Sequence, residues 1–246
     1  MKTKALIATL LLTVVVLQTM WGQTVELNFR NGNKVQYNVS ELQDIRFIED
    51  EDKHEWVDLG LPSGTKWATC NVGANSPEEY GDYFAWGEVT PKDVYNWETY
   101  RYYNGSYDTM TKYCANSSNG YNGFTDGLTE LLPEDDAATA NWGAPWHMPT
   151  HEQQQELMDN CTREWTMQGG VNGTLVTGPN GNTFFLPAAG RRWGDELNYA
   201  GGLGGYWSSS LSPRSDSDAY SVYFYSDYWD YWVSRHYGQS VRAVCP

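Results

Sequence analysis

Short runs in which apolar and polar residues alternate dominate the chain, and they predict many short β-strands. Near the start, residues 25–29 alternate, residues 31–33 read Asn-Gly-Asn, and residues 35–39 alternate again. Two alternating runs around such a turn are typical of a β-hairpin. Residues 23–48 are therefore predicted to form a small N-terminal β unit.

A larger domain is predicted over residues 55–246, after an acidic linker at 49–54. Thr150 and Gln153 make a capping-box pattern that starts the second of two short helices. Residues 77–131 show neither strand nor helix periodicity and predict long ordered loops. The whole pattern indicates an α+β domain of short antiparallel strands. Its strands are predicted at 56–70 (a hairpin), Val171–Val176, Thr183–Leu186, Tyr206–Ser209, Ala219–Ser226, Tyr228–Ser234 and Ser240–Cys245.

The first 22 residues have the layout of a secretory signal peptide. Lys2 and Lys4 precede an uncharged apolar run over residues 5–17, and a short polar stretch ends at Gly22. The run is shorter than the ~20 residues that a membrane-spanning helix needs. We therefore expect export to the cell surface or the medium, with a retained N-terminal anchor as the alternative.

Charge and cysteine content narrow the range of partners and cofactors. The net charge of −15 at pH 7 would repel nucleic acid and anionic membranes. Cys70, Cys114, Cys161 and Cys245 permit two disulfides in an exported protein, with three possible pairings. No CxxC spacing occurs and only four histidines are present, so no metal or other cofactor is expected.

The segment 212–238 has the composition of a recognition surface. It is rich in Tyr, Ser, Asp and Trp and contains no Lys, Glu, Gln or Met, which ordinary solvated surfaces include. Tyr and Trp provide rigid contact area at low entropic cost, while small polar residues provide adaptable hydrogen bonds, as in antibody paratopes. We therefore predict that this segment contacts a ligand.

Strand alternation divides the residues of this segment between core and surface. Val222 and Phe224 are assigned to the core, so Ser221, Tyr223 and Tyr225 are expected to point outward. The alternative is that many of these rings pack internally. The predicted ligand-binding residues are Arg214, Asp216, Ser221, Tyr223, Tyr225, Asp227, Tyr228, Asp230, Tyr231, Trp232, His236 and Tyr237.

Six strings occur in order from residue 55 to the end: EWVDLGLPSGTKWATCNVGA, PEEYGDYFAWGE, LPEDDAATANWGAPWHMPT, FLPAAG, GYWSSS and RHYGQSVRAVC. They resemble the Fibrobacter succinogenes major paralogous domain, a family of exported proteins common in gut Bacteroidetes. That family is similar in fold to the C-type lectin superfamily, which includes formylglycine-generating proteins. The resemblance implies a C-type-lectin-like fold, with Gln154 in place of an aromatic residue of the second-helix signature. Because such folds bring their ends together, it also implies a Cys70–Cys245 disulfide.

The frame GYWSSS…GQSVRAV is similar to the variable region of proteins diversified by retroelements. In such systems AAY codons of a template change at their adenines, which can give Tyr, Ser, Asp, His, Arg and Gly. These six types make up 20 of the 27 residues from 212 to 238. The resemblance implies a diversity-generating retroelement target, and the alternative is a binding face that does not vary.

The sequence thus predicts an exported, non-enzymatic protein that binds an extracellular protein or glycan. A fixed polysaccharide-binding module or adhesin is one alternative. Another is a degenerate relative of formylglycine-generating enzymes, which use paired cysteines near the end of the domain, where this chain has only Cys245.

Overall fold

A computed structural model describes residues 24–28, 34–38, 54–105, 108–225 and 228–246, without the side chains of 25, 27, 28 and 228–231. The chain divides into two units, residues 1–53 and 54–246, and each is described by itself. The predicted signal peptide, and the predicted linker up to residue 53, lie outside the described residues. No helix in the described part of the chain is long and apolar enough to cross a membrane.

In the first unit, the predicted hairpin is confirmed. Strand β1 (Thr24–Asn28) pairs antiparallel with β2 (Lys34–Asn38), and Leu27 lies opposite Val35. The ammonium group of Lys34 lies 3.1 Å from the carboxylate of Glu26 across the two strands. Both side chains are exposed, so this ion pair adds little stability.

The second unit is α+β, as predicted, and consists mostly of short antiparallel sheets. Its helices are α1 (Ala137–Trp142) and α2 (His151–Asn160). Its strands are β3 (Trp56–Asp58), β4 (Lys66–Ala68), β5 (Thr162–Gln168), β6 (Val171–Thr177), β7 (Thr183–Pro187), β8 (Arg191–Trp193), β9 (Glu196–Asn198), β10 (Gly204–Leu211), β11 (Asp218–Tyr225), β12 (Tyr228–Ser234) and β13 (Val244–Cys245). Within the described ranges the sheets have the orders β13-β4-β3, β5-β6-β7, β8-β9 and β10-β11-β12.

The two ends of the second unit meet, as the resemblance implied. Strand β13 pairs antiparallel with β4, placing Val244 opposite Trp67 and Cys245 opposite Lys66. The predicted Cys70–Cys245 disulfide is wrong, because no such bond forms. Cys70 lies four residues beyond Lys66, which is about 13 Å along a strand, whereas a disulfide needs Cα atoms within about 7 Å.

Helix α2 is fixed at its start and along its length. Thr150 and Gln153 form the predicted capping box, with each side chain accepting from the backbone N–H of the other. Gln154 is buried, and its Nε2 donates to the carbonyl oxygens of Tyr206 (3.3 Å) and Trp207 (3.1 Å). The glutamine that replaces the expected aromatic residue therefore ties α2 to β10 by hydrogen bonds.

Strands β10 and β11 lie between two hydrophobic clusters. One cluster includes Trp86, Trp207 and Tyr223, and the other includes Val222 and Phe224. Successive side chains of a strand point to opposite sides, so each strand contributes to both clusters. Both faces of this part of the sheet are therefore covered by protein.

Candidate ligand-binding site

Burial corrects part of the predicted binding face on β11. Val222 and Phe224 are buried, as predicted, but Ser221 and Tyr223 are buried as well, with only 1% and 5% of their surfaces exposed. The Ser221 hydroxyl donates to Oε1 of Gln239 at 3.0 Å. Tyr225, at the end of the strand, is exposed. The outward orientation expected for Ser221 and Tyr223 is wrong because a second hydrophobic cluster covers their side of the strand.

Asp216, another predicted binding residue, is buried in a network of protein donors. Its carboxylate accepts from the backbone N–H groups of Ala115 and Asn116, each at 3.0 Å, and from Nδ2 of Asn119 at 3.1 Å. The Cys114 thiol also donates to it at 3.6 Å. These contacts hold the loop at 114–119 in place, and Asp216 also lines a cleft together with Arg214.

Two other predicted binding residues, Arg214 and Trp232, contact each other near a cleft. The Arg214 guanidinium lies 3.7 Å from the centroid of the Trp232 ring, a cation–π geometry. Arg214 also lines a cleft of about 420 Å³, where Tyr220 stacks on His151 with ring centroids 3.6 Å apart. The predicted binding residue Asp227 and the side chains of Tyr228, Asp230 and Tyr231 lie outside the described residues.

Among the described residues, a connected group of aromatic rings lies beside β8 and β9, and two of its rings, Trp193 and Tyr199, are exposed. Three separate parts of the chain contribute to it, and its rings form a connected series of contacts with centroids 4.5–6.2 Å apart. The Arg191 guanidinium lies 4.9 Å from the Tyr237 ring and 5.4 Å from the Tyr199 ring, which joins Tyr199 to the series. We call this set the aromatic patch: Trp97, Tyr103, Trp193, Tyr199, His236 and Tyr237.

Backbone hydrogen bonds hold the three parts of the patch together. Arg192 and Gly238 exchange N–H···O bonds of 2.7 and 3.0 Å, and Tyr95 and Gly194 exchange bonds of 2.7 and 2.9 Å. A Cβ atom at Gly238 would lie only 2.6 Å from the Tyr95 ring, so glycine allows this close approach. The β8–β9 hairpin is therefore fixed to both neighbouring segments by its backbone.

The side chains of the patch differ in exposure, from rings in solvent to a buried histidine. Trp193 and Tyr199 are 56% and 62% exposed, whereas His236 is only 6% exposed beneath Trp97 and Tyr237. Burial, reinforced by the positive charge of Lys92, lowers the pKa of His236 to about 4. The imidazole is therefore neutral at pH 7. The exposed rings of the patch lie in solvent, and the buried side chain beneath them carries no charge.

The acidic pair before α1 is occupied by protein donors. The Asp136 carboxylate accepts from the backbone N–H groups of Thr139 and Met148 at 2.9 and 2.8 Å and so caps the helix. The Asp135 carboxylate accepts from the hydroxyls of Tyr102 and Tyr113, each at 2.6 Å, and pairs with Lys112. Among the described residues, no group of three or more His, Cys, Asp or Glu could hold a metal ion.

The sequence analysis predicted His236 and Tyr237 of the patch but missed its other four members and Arg191: Trp97, Tyr103, Trp193 and Tyr199. The string Arg-Arg-Trp-Gly-Asp at 191–195 combines stacking residues with a turn signal and could have drawn attention to the hairpin. Comparison with protein-family models, curated proteins and solved structures finds no match to this chain.

Proposed function

We propose that this protein is an exported, non-enzymatic binding protein whose aromatic patch recognises an extracellular protein or glycan. One observation carries the proposal: three separate chain segments are joined by backbone hydrogen bonds so that Trp193 and Tyr199 remain in solvent. Large exposed rings in one area are typical of interaction sites, and Trp, Tyr and Arg are the residues that most often dominate binding energy.

The scaffold is proposed to be C-type-lectin-like, of the major paralogous domain type. Two features support this assignment beyond the sequence resemblance. The first and last strands of the second unit pair with each other, through β4 and β13. Helix α2 lies against β10, although its contact there is made by hydrogen bonds of Gln154 where the second-helix signature has an aromatic residue.

A non-catalytic role is supported by how the candidate chemical groups are engaged. The carboxylates of Asp135, Asp136 and Asp216 accept hydrogen bonds from protein donors. A degenerate relative of formylglycine-generating enzymes is the competing proposal. It would be favoured by cysteine-dependent oxidation of a peptide by the purified protein.

A fixed binding face is favoured over a diversified one. Asp216, Ser221 and Tyr223 lie in the segment with the composition of a variable region, yet all three are at least 95% buried. Random replacement of buried polar residues leaves unpaired groups or cavities, so it costs stability. Sequencing the DNA around the gene tests this. An adenine-biased near-copy of the segment encoding 206–244, beside a reverse-transcriptase gene, would establish diversification instead.

The binding proposal is tested on a panel of immobilised extracellular glycans and proteins. We expect the unmodified protein to bind at least one panel member, and Trp193→Ala to weaken that binding about tenfold or more, as for a central aromatic contact. Trp56→Ala is the matched control, because Trp56 is also exposed, at 49%, but lies on β3. Equal losses in both variants, or no binding to any member, would contradict the proposal.

A further inference from the structure

Arg191 is a cation held among aromatic rings in a strongly acidic protein. The chain carries 31 Asp and Glu residues against 16 Lys and Arg. It therefore has more than enough carboxylates to pair with every basic side chain. Within the described ranges, ion pairs join Lys34 to Glu26, Lys92 to Glu88 and Lys112 to Asp135, and none involves Arg191.

The surroundings of Arg191 are neutral. Its guanidinium lies within 6 Å of the ring centroids of Tyr199, Tyr223 and Tyr237. The one hydrogen bond that it makes in the described part of the chain runs from Nη1 to the Tyr223 hydroxyl, at 3.4 Å. Stacking on rings orients a guanidinium but leaves its in-plane N–H donors unused.

Arg191 and His236, both at the patch, each have a buried nitrogen without a hydrogen-bond partner in the described ranges. Among the described residues, four buried side-chain polar atoms have no hydrogen-bond partner: Trp67 Nε1, Arg191 Nε, His236 Nδ1 and Gln239 Nε2. Arg191 and His236 both contact the Tyr237 ring, and Gln239 bonds to Ser221 of β11. Buried polar groups without partners are uncommon in proteins, so each one calls for an explanation.

We propose that Arg191 binds the carboxylate of an acidic sugar, so that the patch recognises a glycan chain carrying a uronic or related acid. This inference rests on the binding role proposed above. A planar guanidinium recognises a carboxylate through two parallel N–H···O bonds. The carboxylate of a bound ligand would therefore give Arg191 the ion-pair partner that it does not have among the described residues.

The rings around Arg191 favour a sugar over a protein segment. Each ring of the patch carries a nitrogen or oxygen atom, and Phe and Met are absent from it. A matching ligand has hydroxyl groups along its length and C–H faces that stack on the negative face of a ring, as sugars do. The net charge of −15 opposes a densely charged polyanion, so the acidic sugar is expected to be isolated in a mostly neutral chain.

The test uses paired probes. Oligosaccharides that contain one uronic acid are immobilised beside the same compounds after reduction of the carboxyl group to an alcohol, together with peptides rich in Asp and Glu. We expect the full chain to prefer the acidic member of a pair by about tenfold or more, the usual effect of a charged hydrogen bond. Arg191→Gln is expected to remove this preference, whereas Arg163→Gln, which removes an exposed charge on β5, leaves it intact.

The outcomes separate the two proposals. Equal binding of acidic and neutral members overturns the role of Arg191 while the binding function stands. Binding only to the acidic peptides overturns the glycan assignment, but the proposed binding function still stands. An unchanged preference in Arg191→Gln assigns carboxylate recognition to another group, and absence of binding to every probe contradicts both proposals. The comparison of acidic with reduced oligosaccharides uses the unmodified protein, so its result stands even if Arg191→Gln fails to fold. In that case Arg191→Lys tests whether a positive charge without the planar guanidinium keeps the preference.

Discussion

Strand β11 and the β8–β9 hairpin both carry aromatic residues beside polar ones, but the fold uses them in opposite ways. In β11, Tyr223 is 5% exposed and packs in one of the two hydrophobic clusters. In the hairpin region, Trp193 and Tyr199 are more than half exposed. Composition alone therefore does not identify a binding surface, because the same residue types lie in the core where a neighbouring element covers them and in solvent where none does.

The difference arises from the position of each element in its sheet. Strand β11 is the central strand of β10-β11-β12 and has a hydrophobic cluster on each side. The hairpin forms a two-stranded sheet, which has too few strands to bury both of its faces. Its rings can therefore remain in solvent, while the backbone bonds of Arg192 and Gly194 hold it in place.

The largest expected effect concerns the core side of β11. Phe224→Asp should prevent stable folding, because an unpaired carboxylate would replace a ring that is 1% exposed. Urea denaturation followed by circular dichroism checks this, and we expect no cooperative transition. A variant that unfolds with the midpoint of the unmodified protein would mean that this side of β11 is not in the core.

A matched pair of tyrosine substitutions tests the comparison itself. Tyr223→Ser should lower the free energy of unfolding by about 3 kcal/mol, because it removes a buried ring and leaves a cavity. Tyr199→Ser should change it by no more than about 0.5 kcal/mol, as is usual for exposed positions. Chemical denaturation of both variants gives the two values. Similar values for the two substitutions would remove the distinction between the strand and the hairpin.

Local patterns predicted several elements well, but they missed β5, made the last strand four residues too long and could not predict what covers the strands. Alternation placed β11 and β12 to within about one residue at each end, and the Thr150–Gln153 pair marked the start of α2. The second cluster beside β11 includes Trp86 and Tyr113, from a region without periodicity. That packing depends on contacts distant in sequence, so the burial of Tyr223 was not predictable from its strand.

The failure to predict the part of the patch on and beside β8 and β9 has a related cause. Strands β8 and β9 have three residues each, which is too short for alternation to be recognised. The polar character of segment 212–238 also has an internal explanation, because Ser221 and Asp216 find hydrogen-bond partners inside the protein. A polar residue in a strand therefore indicates solvent only where such partners are absent.

A smaller effect is expected at the buried base of the patch. The pKa of His236 is lowered to about 4 from 6.5, mainly by burial, so between these values the unfolded chain binds a proton that the folded protein does not. Its contribution to stability is therefore complete above about pH 6.5 and is lost as the pH falls towards 4. His236→Gln should show a flatter dependence of stability on pH in this window. An NMR titration that gives a pKa near 6.5 for His236 would contradict its burial.

The central claim is that a ligand contacts the hairpin and its neighbouring rings rather than β11. Hydroxyl-radical footprinting with a bound panel member tests it directly, because oxidation of an exposed ring slows when a ligand covers it. We expect slower oxidation of Trp193, Tyr199 and Tyr237 on binding, with Trp56 on β3 unchanged. Protection confined to Arg214 and Trp232, beside the cleft, with Trp193 and Tyr199 unaffected, would contradict it.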